Sequence, residues 1–352
     1  MTTPADGSAL GYADLTPDEV LAALDAVGFH GDGRILQLNS YENRVFQVML
    51  EDGSAVVVKF YRPGRWSNDQ IVEEHRFALE LEAAEVPVVA PLPLMRRNSG
   101  VDLLPLNGLP SLALLRSVSG THRFAVAPRK AGRAPDLESD DVLRRLGGLI
   151  GRMHLVGSRQ SFRCRPTMHA PLNLREDIQL LMDGRFVPED QVEAWNEVCT
   201  NILHYVDAAW SSCTPVVRRI HGDCHRGNLL WRDEGAHLVD LDDSCNGPAI
   251  QDLWMLLSGS PDSATHQLGQ LLLGYQVFCP FDMKELRLVE ALRLFRMVRH
   301  SAWLAKRWSD PAFPRAFPGF GGSSYWAQQV MHLSEQLQVA TLSSHIARSP
   351  GA

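Results

Sequence analysis

The chain has 352 residues, 45% of them hydrophobic, enough to bury a sizeable core and to build two lobes. Its 34 basic and 41 acidic residues give a net charge of -7 with no basic block, which disfavours nucleic acid and membrane surfaces as partners. The opening MTTPADGSALGYADL has neither a basic nor an apolar leader region, and no later segment reaches the roughly 18 uncharged apolar residues of a spanning helix, so a cytoplasmic protein is expected, with a monomer as the default.

In chain order, Thr16-Pro17-Asp18-Glu19 reads as a capping-box helix start, followed by Val20, Leu21, Leu24 and Val27 on one face and Gly28 as the stop. Residues 34–38, 45–50 and 55–60 then predict three strands in an antiparallel meander. The loop between the first two, Asn39 to Asn43, has no glycine, but Ser40 and neighbouring backbone N–H groups can donate to phosphate oxygens; an ordinary polar hairpin loop is the alternative. Lys59 ends the apolar run Val56-Val57-Val58, so its ammonium is expected to face a cleft and to need anions there. The helix expected over residues 68–84 supplies a carboxylate, with Glu74 on the face of Ile71 and Ala78 and Glu73 as the fallback. Residues 87–93 turn the chain into further strands, and the apolar run 111–118 ends at an expected hinge before Ser119-Gly120.

Residues 142–156 predict a core helix carrying Leu146, Leu149, Ile150, Met153 and a packed His154, residues 158–188 a loop-rich insertion, and residues 191–210 another helix. The most informative stretch runs from His221 to Asp252. Asp223 is followed five residues later by Asn228 and, after a short hairpin pattern, by Asp240. A hairpin returns Asn228 and Asp240 to the same end, where amide and carboxylate oxygens suit a hard divalent cation such as Mg2+. Phosphoryl transfer needs such a cation, and a carboxylate near the acceptor hydroxyl, the place of Asp223. Turn stabilisation by Asp and Asn is the plainer reading, but it leaves Lys59 and the later Asp unexplained. Asp242 and Asp243 stand between a metal contact and an exposed turn. Helices follow at residues 248–254, 264–279, 284–308 and 324–345, with Arg293, Arg296 and Arg299 read as a mixed surface face, the lining of an acceptor groove being the alternative, and a Pro/Gly-rich loop at residues 311–322. The six cysteines form no C-x-x-C pair, so free thiols are expected, with Cys224 beside Asp223 a small loop filler.

The segment His221-Gly222-Asp223-Cys224-His225-Arg226-Gly227-Asn228, with Val239-Asp240-Leu241-Asp242-Asp243, resembles the aminoglycoside phosphotransferase and choline kinase superfamily. More narrowly, Ser40-Tyr41-Glu42-Asn43-Arg44, Glu73-Glu74-His75 and Asn246-Gly247-Pro248 onward to Trp254 resemble the bacterial stress response kinase A family, over residues 14 to 330. The resemblance implies an α+β, bilobal, protein-kinase-like fold. A small antiparallel-sheet lobe would span residues 1–117, and a mostly helical lobe residues 118–352, with the catalytic loop at 221–228 and the metal-binding segment at 240–243. It implies an ATP contact at Ser40, Lys59 orienting the phosphates with Glu74 as brace, Mg2+ on Asn228 and Asp240, Asp223 as base, and Asp252 supporting the catalytic loop. The implied activity is transfer from ATP to protein serine or threonine in the stress response. Only eleven residues separate Asp240 from Asp252, short for a peptide-docking activation segment, so a small hydroxyl metabolite is the alternative acceptor. A nucleotide-binding module without catalysis is a further alternative, weakened by the presence of Lys59, Asp223, Asn228 and Asp240 together.

Overall fold

Thr16 caps helix α1 (Pro17–Ala26) by accepting the Glu19 amide at 3.3 Å, and Val20, Ala23 and Leu24 form its buried face. The computed structural model describes residue 12 and residues 15–105, 110–117 and 120–346. Strands β1 (Gly31–Leu38), β2 (Arg44–Leu50) and β3 (Ala55–Tyr61) pair antiparallel in the expected meander. Along β3 the pleat sends Val56, Val58 and Phe60 into a core shared with α1, while Lys59 points to the opposite face. Helix α2 (Asn68–Ala83), with a complete capping box at Ser67 and Gln70, packs on that second face.

The sheet has six strands in the order β1-β2-β3-β6-β5-β4, completed by β4 (Val101–Leu104), β5 (Leu112–Ser117) and β6 (Gly120–Pro128). Strand β6 sits between β3 and β5, with Ala125 opposite Lys59, so the small-lobe sheet continues past residue 117, the boundary expected from the sequence. Pairing of β6 with β3 joins segments more than 60 residues apart, which local pattern does not reveal. The hinge expected at residues 118–119 lies outside the described residues. Residues 87–93 carry the chain into further strands, β4 and β5, as expected. Pro87, Pro91 and Pro93 lack the amide donors a ladder needs, and the segment makes only single contacts, such as Leu92 N–H to Val126 O at 2.7 Å.

The second lobe is helical. Helix α3 (Asp140–Gly157) is followed by α4 (Ala170–Asp183), which occupies the segment expected to be a loop-rich insertion. Most of its polar residues lie on the outer face, Asp177 being buried with Leu174 and Leu181, and His169 and Pro171 start the helix. Helix α5 (Val192–Cys213) leads to three short strand pieces, β7 (Arg218–Ile220), β8 (Leu229–Arg232) and β9 (Gly235–Leu238), then β10 (Cys245–Gly247) and α6 (Ile250–Trp254). Helix α7 (Pro261–Tyr275) lies so close to α3 that a Cβ on Gly147 would fall 1.9 Å from Leu271 O. Helix α8 (Val289–Arg307), the short α9 (Ala312–Ala316) inside the Pro/Gly-rich segment, and α10 (Ser323–Ile346) complete the lobe around Trp195, Ile202, Phe295 and Trp326. Among the described residues no helix is long and apolar enough to cross a membrane.

Candidate active site

Strand β7 pairs with β10, Ile220 opposite Cys245, and delivers the chain to His221. From there the backbone is held by one carboxylate: Asp252, fully buried in α6, accepts the His221 amide at 2.7 Å and the Gly222 amide at 2.9 Å. His154 Nε2 lies 2.9 Å from the same carboxylate, and its Nδ1 is 3.0 Å from the Tyr275 hydroxyl. Burial lowers the His154 pKa against the pull of Asp252, so the ring is a neutral prop, in line with its packed sequence reading. Gly222 adopts φ +83°, and a Cβ there would lie 2.2 Å from Asp243 O, so the residue before Asp223 has to be glycine.

Beyond Asp223 a short turn returns to the β8–β9 hairpin. Asn228 donates its amide Nδ2–H to Asp223 O at 2.9 Å, and its own carbonyl accepts the Val239 amide at 3.1 Å. Leu229 pairs with Leu238, so Asn228 and Asp240 flank the same end of the hairpin with Asp223 beside them. Asp240 has a left-handed backbone, φ 59°, a conformation Asp tolerates better than most residues and one that turns the chain sharply into the 241–243 turn.

Lys59 Nζ reaches across from the sheet to this end, 3.2 Å from Asp240 Oδ1, 3.3 Å from Asp242 Oδ1 and 3.7 Å from Glu74 Oε1. Burial lowers the lysine pKa, but Asp242, Glu74, Tyr61 and Asp240 together more than offset it, so the ammonium stays charged. Glu74 is buried on the side of α2 that faces Lys59, whereas Glu73 turns away and accepts the backbone amides of Arg163, Cys164 and Arg165 at 2.6, 2.9 and 2.9 Å. Asp242 is not an exposed turn carboxylate. It is 2% exposed and is also bound by Arg65 and by Asn43 Nδ2 at 3.1 Å. Burial would raise its carboxyl, but Lys59 and Arg65 hold it well below the usual range.

The Ser40 hydroxyl oxygen accepts the Asn43 amide at 3.2 Å, closing its loop. That loop is fastened to the helical lobe: Glu42 accepts from Trp303 Nε1 and from Arg307 Nε at 3.1 Å, and the Tyr41 ring lies 5.4 Å from that of Phe317. On the opposite side of the catalytic loop, Arg296 Nη1 donates to Asp223 Oδ1 at 2.7 Å, and His225 Nε2 is 3.5 Å from Oδ2. Burial raises the Asp223 pKa, but Arg296 and His225 outweigh it and leave the carboxyl below its ordinary value. Sequence reading placed Arg296 on a mixed surface face, with an acceptor groove as the alternative, and missed Arg65 and Asn43; nothing in helical periodicity or loop composition separates them from solvated residues.

Cys224 is fully buried and its thiol is pushed far up by burial, as a loop filler requires.

Residues 34–289 match a family model described as the phosphotransferase enzyme family. Stress response kinase A of Escherichia coli (strain K12) is 42% identical over 334 residues, 95% of this chain and 96% of its own length. A serine/threonine protein kinase RdoA of Salmonella typhimurium is 40% identical over 332 residues, 94% of this chain and 95% of its own. Among solved structures, an amicoumacin kinase in complex with AMP-PNP, Ca2+ and Ami has a TM-score of 0.68 at 18% identity, covering 91% of this chain and 93% of that one. A microcompartment-associated aminopropanol kinase has a TM-score of 0.67 at 14% identity, covering 94% and 98%. The two structures share the bilobal fold that the sequence resemblance implied.

Proposed function

The chain belongs to the phosphotransferase enzyme family and is a kinase acting on a hydroxyl group, and from that premise we propose that it moves the γ-phosphoryl group of ATP to a serine or threonine of a protein in a cytoplasmic stress response. The observation that carries the reading is the gathering of Asp223, Asn228 and Asp240 at one hairpin end beneath Lys59. The protein acceptor rests on the relatives, one of them named a serine/threonine protein kinase, which match this chain over nearly its whole length.

In this reading Asp223 accepts the hydrogen bond of the acceptor hydroxyl and takes its proton as the new O–P bond forms and the bond from Pγ to the bridging oxygen breaks, releasing ADP. Lys59 donates to phosphate oxygens, which take over the place held by Asp240, while Glu74 and Asp242 keep the ammonium aimed. Ser40 lends its hydroxyl proton from the fastened loop above. The donor chemistry at the hairpin end suits Mg2+: Asp240 has a half-exposed carboxylate, and Asn228, its amide nitrogen spent on Asp223 O, has an amide oxygen left to offer. Bound there, the cation would supply charge neutralisation for the phosphates.

A small hydroxyl metabolite is the second reading. Between Asp240 and Asp252 lie a single turn at residues 241–243, the paired strand β10 and the start of α6, which leaves no long segment to dock a peptide and none to be switched by phosphorylation. The kinase is therefore expected to be active once MgATP is present. Incubation with γ-labelled ATP and Mg2+, alone, with a generic protein acceptor and with a metabolite panel, separates the readings. Label on protein serine or threonine is expected; transfer to metabolites alone selects the second reading, and no transfer to any acceptor refutes both.

A further inference from the structure

Beside Asp223 opens a pocket of about 420 Å³ whose wall includes His225, Trp254, Arg293, Arg296, His300 and His332 and contains no carboxylate. Its permanent charge comes from the two arginines, because burial and the nearby Arg296 hold His300 below its ordinary pKa and hence neutral near pH 7. Arg296 uses Nη1 for Asp223 and for a 3.8 Å contact with Met255 Sδ, and among the described residues its Nε and Nη2 have no hydrogen-bond partner. Arg293 stacks 5.7 Å above the Trp254 ring, with Glu290 3.4 Å from its Nε as its ion-pair partner. A guanidinium is a rigid fork of donors, so one edge can hold Asp223 while the other holds a second anion.

We propose that the acceptor carries an anionic group, a carboxylate or a phosphate, close to the hydroxyl that is phosphorylated, and that Arg296 and Arg293 bind it. This rests on the reading of Asp223 as the group that meets the acceptor hydroxyl. A cationic acceptor would face the two guanidinium groups on the pocket side, with the nearby carboxylates Asp223 and Glu290 already engaged by them, a like-charge arrangement that partly desolvated sites reject. Arg296 thereby serves twice, positioning the base and reporting that the correct acceptor is present.

The anion can come from an acidic protein segment or from a small hydroxy acid, and the experiment carries an arm for each. Transfer is measured to three serine-centred peptides flanked by acidic, neutral or basic residues, and to paired hydroxy acids and amino alcohols, with ATP hydrolysis in the absence of acceptor followed in parallel. The anionic member of each active set is expected to show kcat/KM at least about tenfold above the neutral one. Arg293→Gln is expected to remove most of that preference by raising KM rather than by lowering kcat, and Arg293→Lys to restore part of it. Equal kcat/KM for acidic and basic acceptors by an enzyme that turns over ATP overturns the inference alone. Absence of both hydrolysis and transfer removes the reading of Asp223 and the inference with it.

Discussion

The two groups of charge on either side of the catalytic loop are built differently. On the proposed nucleotide side Lys59, Arg65 and Asp242 have side chains 18%, 10% and 3% exposed and each has more than one partner of opposite charge. On the acceptor side the Arg296–Asp223 pair is 47% and 26% exposed. Water screens an exposed pair to about 0–1 kcal/mol, whereas removing one member of a buried set strands the other. The nucleotide side is thus a fixed frame tying the lobes together. The acceptor side is an adjustable contact that an incoming substrate can rearrange without cost to the fold.

The comparison is broken most forcefully by Asp242→Ala. Lys59 and Arg65 lose their buried counter-charge, and a loss of about 3–5 kcal/mol in urea unfolding is expected; an effect within 1 kcal/mol would show that the nucleotide side is as loosely built as the other. Because the Asp242 pKa is depressed in the folded chain, its contribution is present above the ordinary carboxylate pKa and is lost as pH falls toward its lowered value. Next comes Asp252→Asn, which keeps the shape but sets an amide N–H against the His221 and Gly222 donors or His154. About 2 kcal/mol is expected in the same assay, together with reduced transfer.

On the acceptor side Arg296→Gln is expected to leave unfolding within about 1 kcal/mol while changing the pH profile. As the proposed base Asp223 must be ionised, and Arg296 is the strongest influence holding its pKa down. Without that guanidinium, burial takes over and the acid limb of kcat/KM moves to higher pH. An unmoved limb would detach Arg296 from Asp223. The smallest effect is chemical: iodoacetamide on the native protein is expected to label exposed Cys164 and spare buried Cys224, which mass spectrometry of the digested protein reads directly.

What could be read in advance follows the same division. Asp223, Asn228 and Asp240 were legible because a hairpin is a local device: the spacing itself returns the ends. Lys59 and Glu74 were legible because a charge in an apolar strand needs an anion, and helix periodicity singles out one glutamate over its neighbour. Strand β6 was not, because its partners lie far away in the chain, and α4 was taken for a loop because its few buried apolar residues are scattered among polar ones. Arg65 was hidden, and Arg296 was not separable from its neighbours Arg293 and Arg299, for a third reason. Their importance comes from the carboxylates they meet, 177 and 73 residues away, and composition carries no record of such meetings.

The central claim is that Asp223 is the group that takes the acceptor proton at a site whose nucleotide half stands apart from it. Single-turnover transfer from γ-labelled ATP by Asp223→Asn, with nucleotide affinity measured on the same samples, tests it most directly. The account predicts transfer slowed about 10²–10⁴-fold with affinity for ATP changed by less than about threefold. Transfer at the parent rate would contradict it.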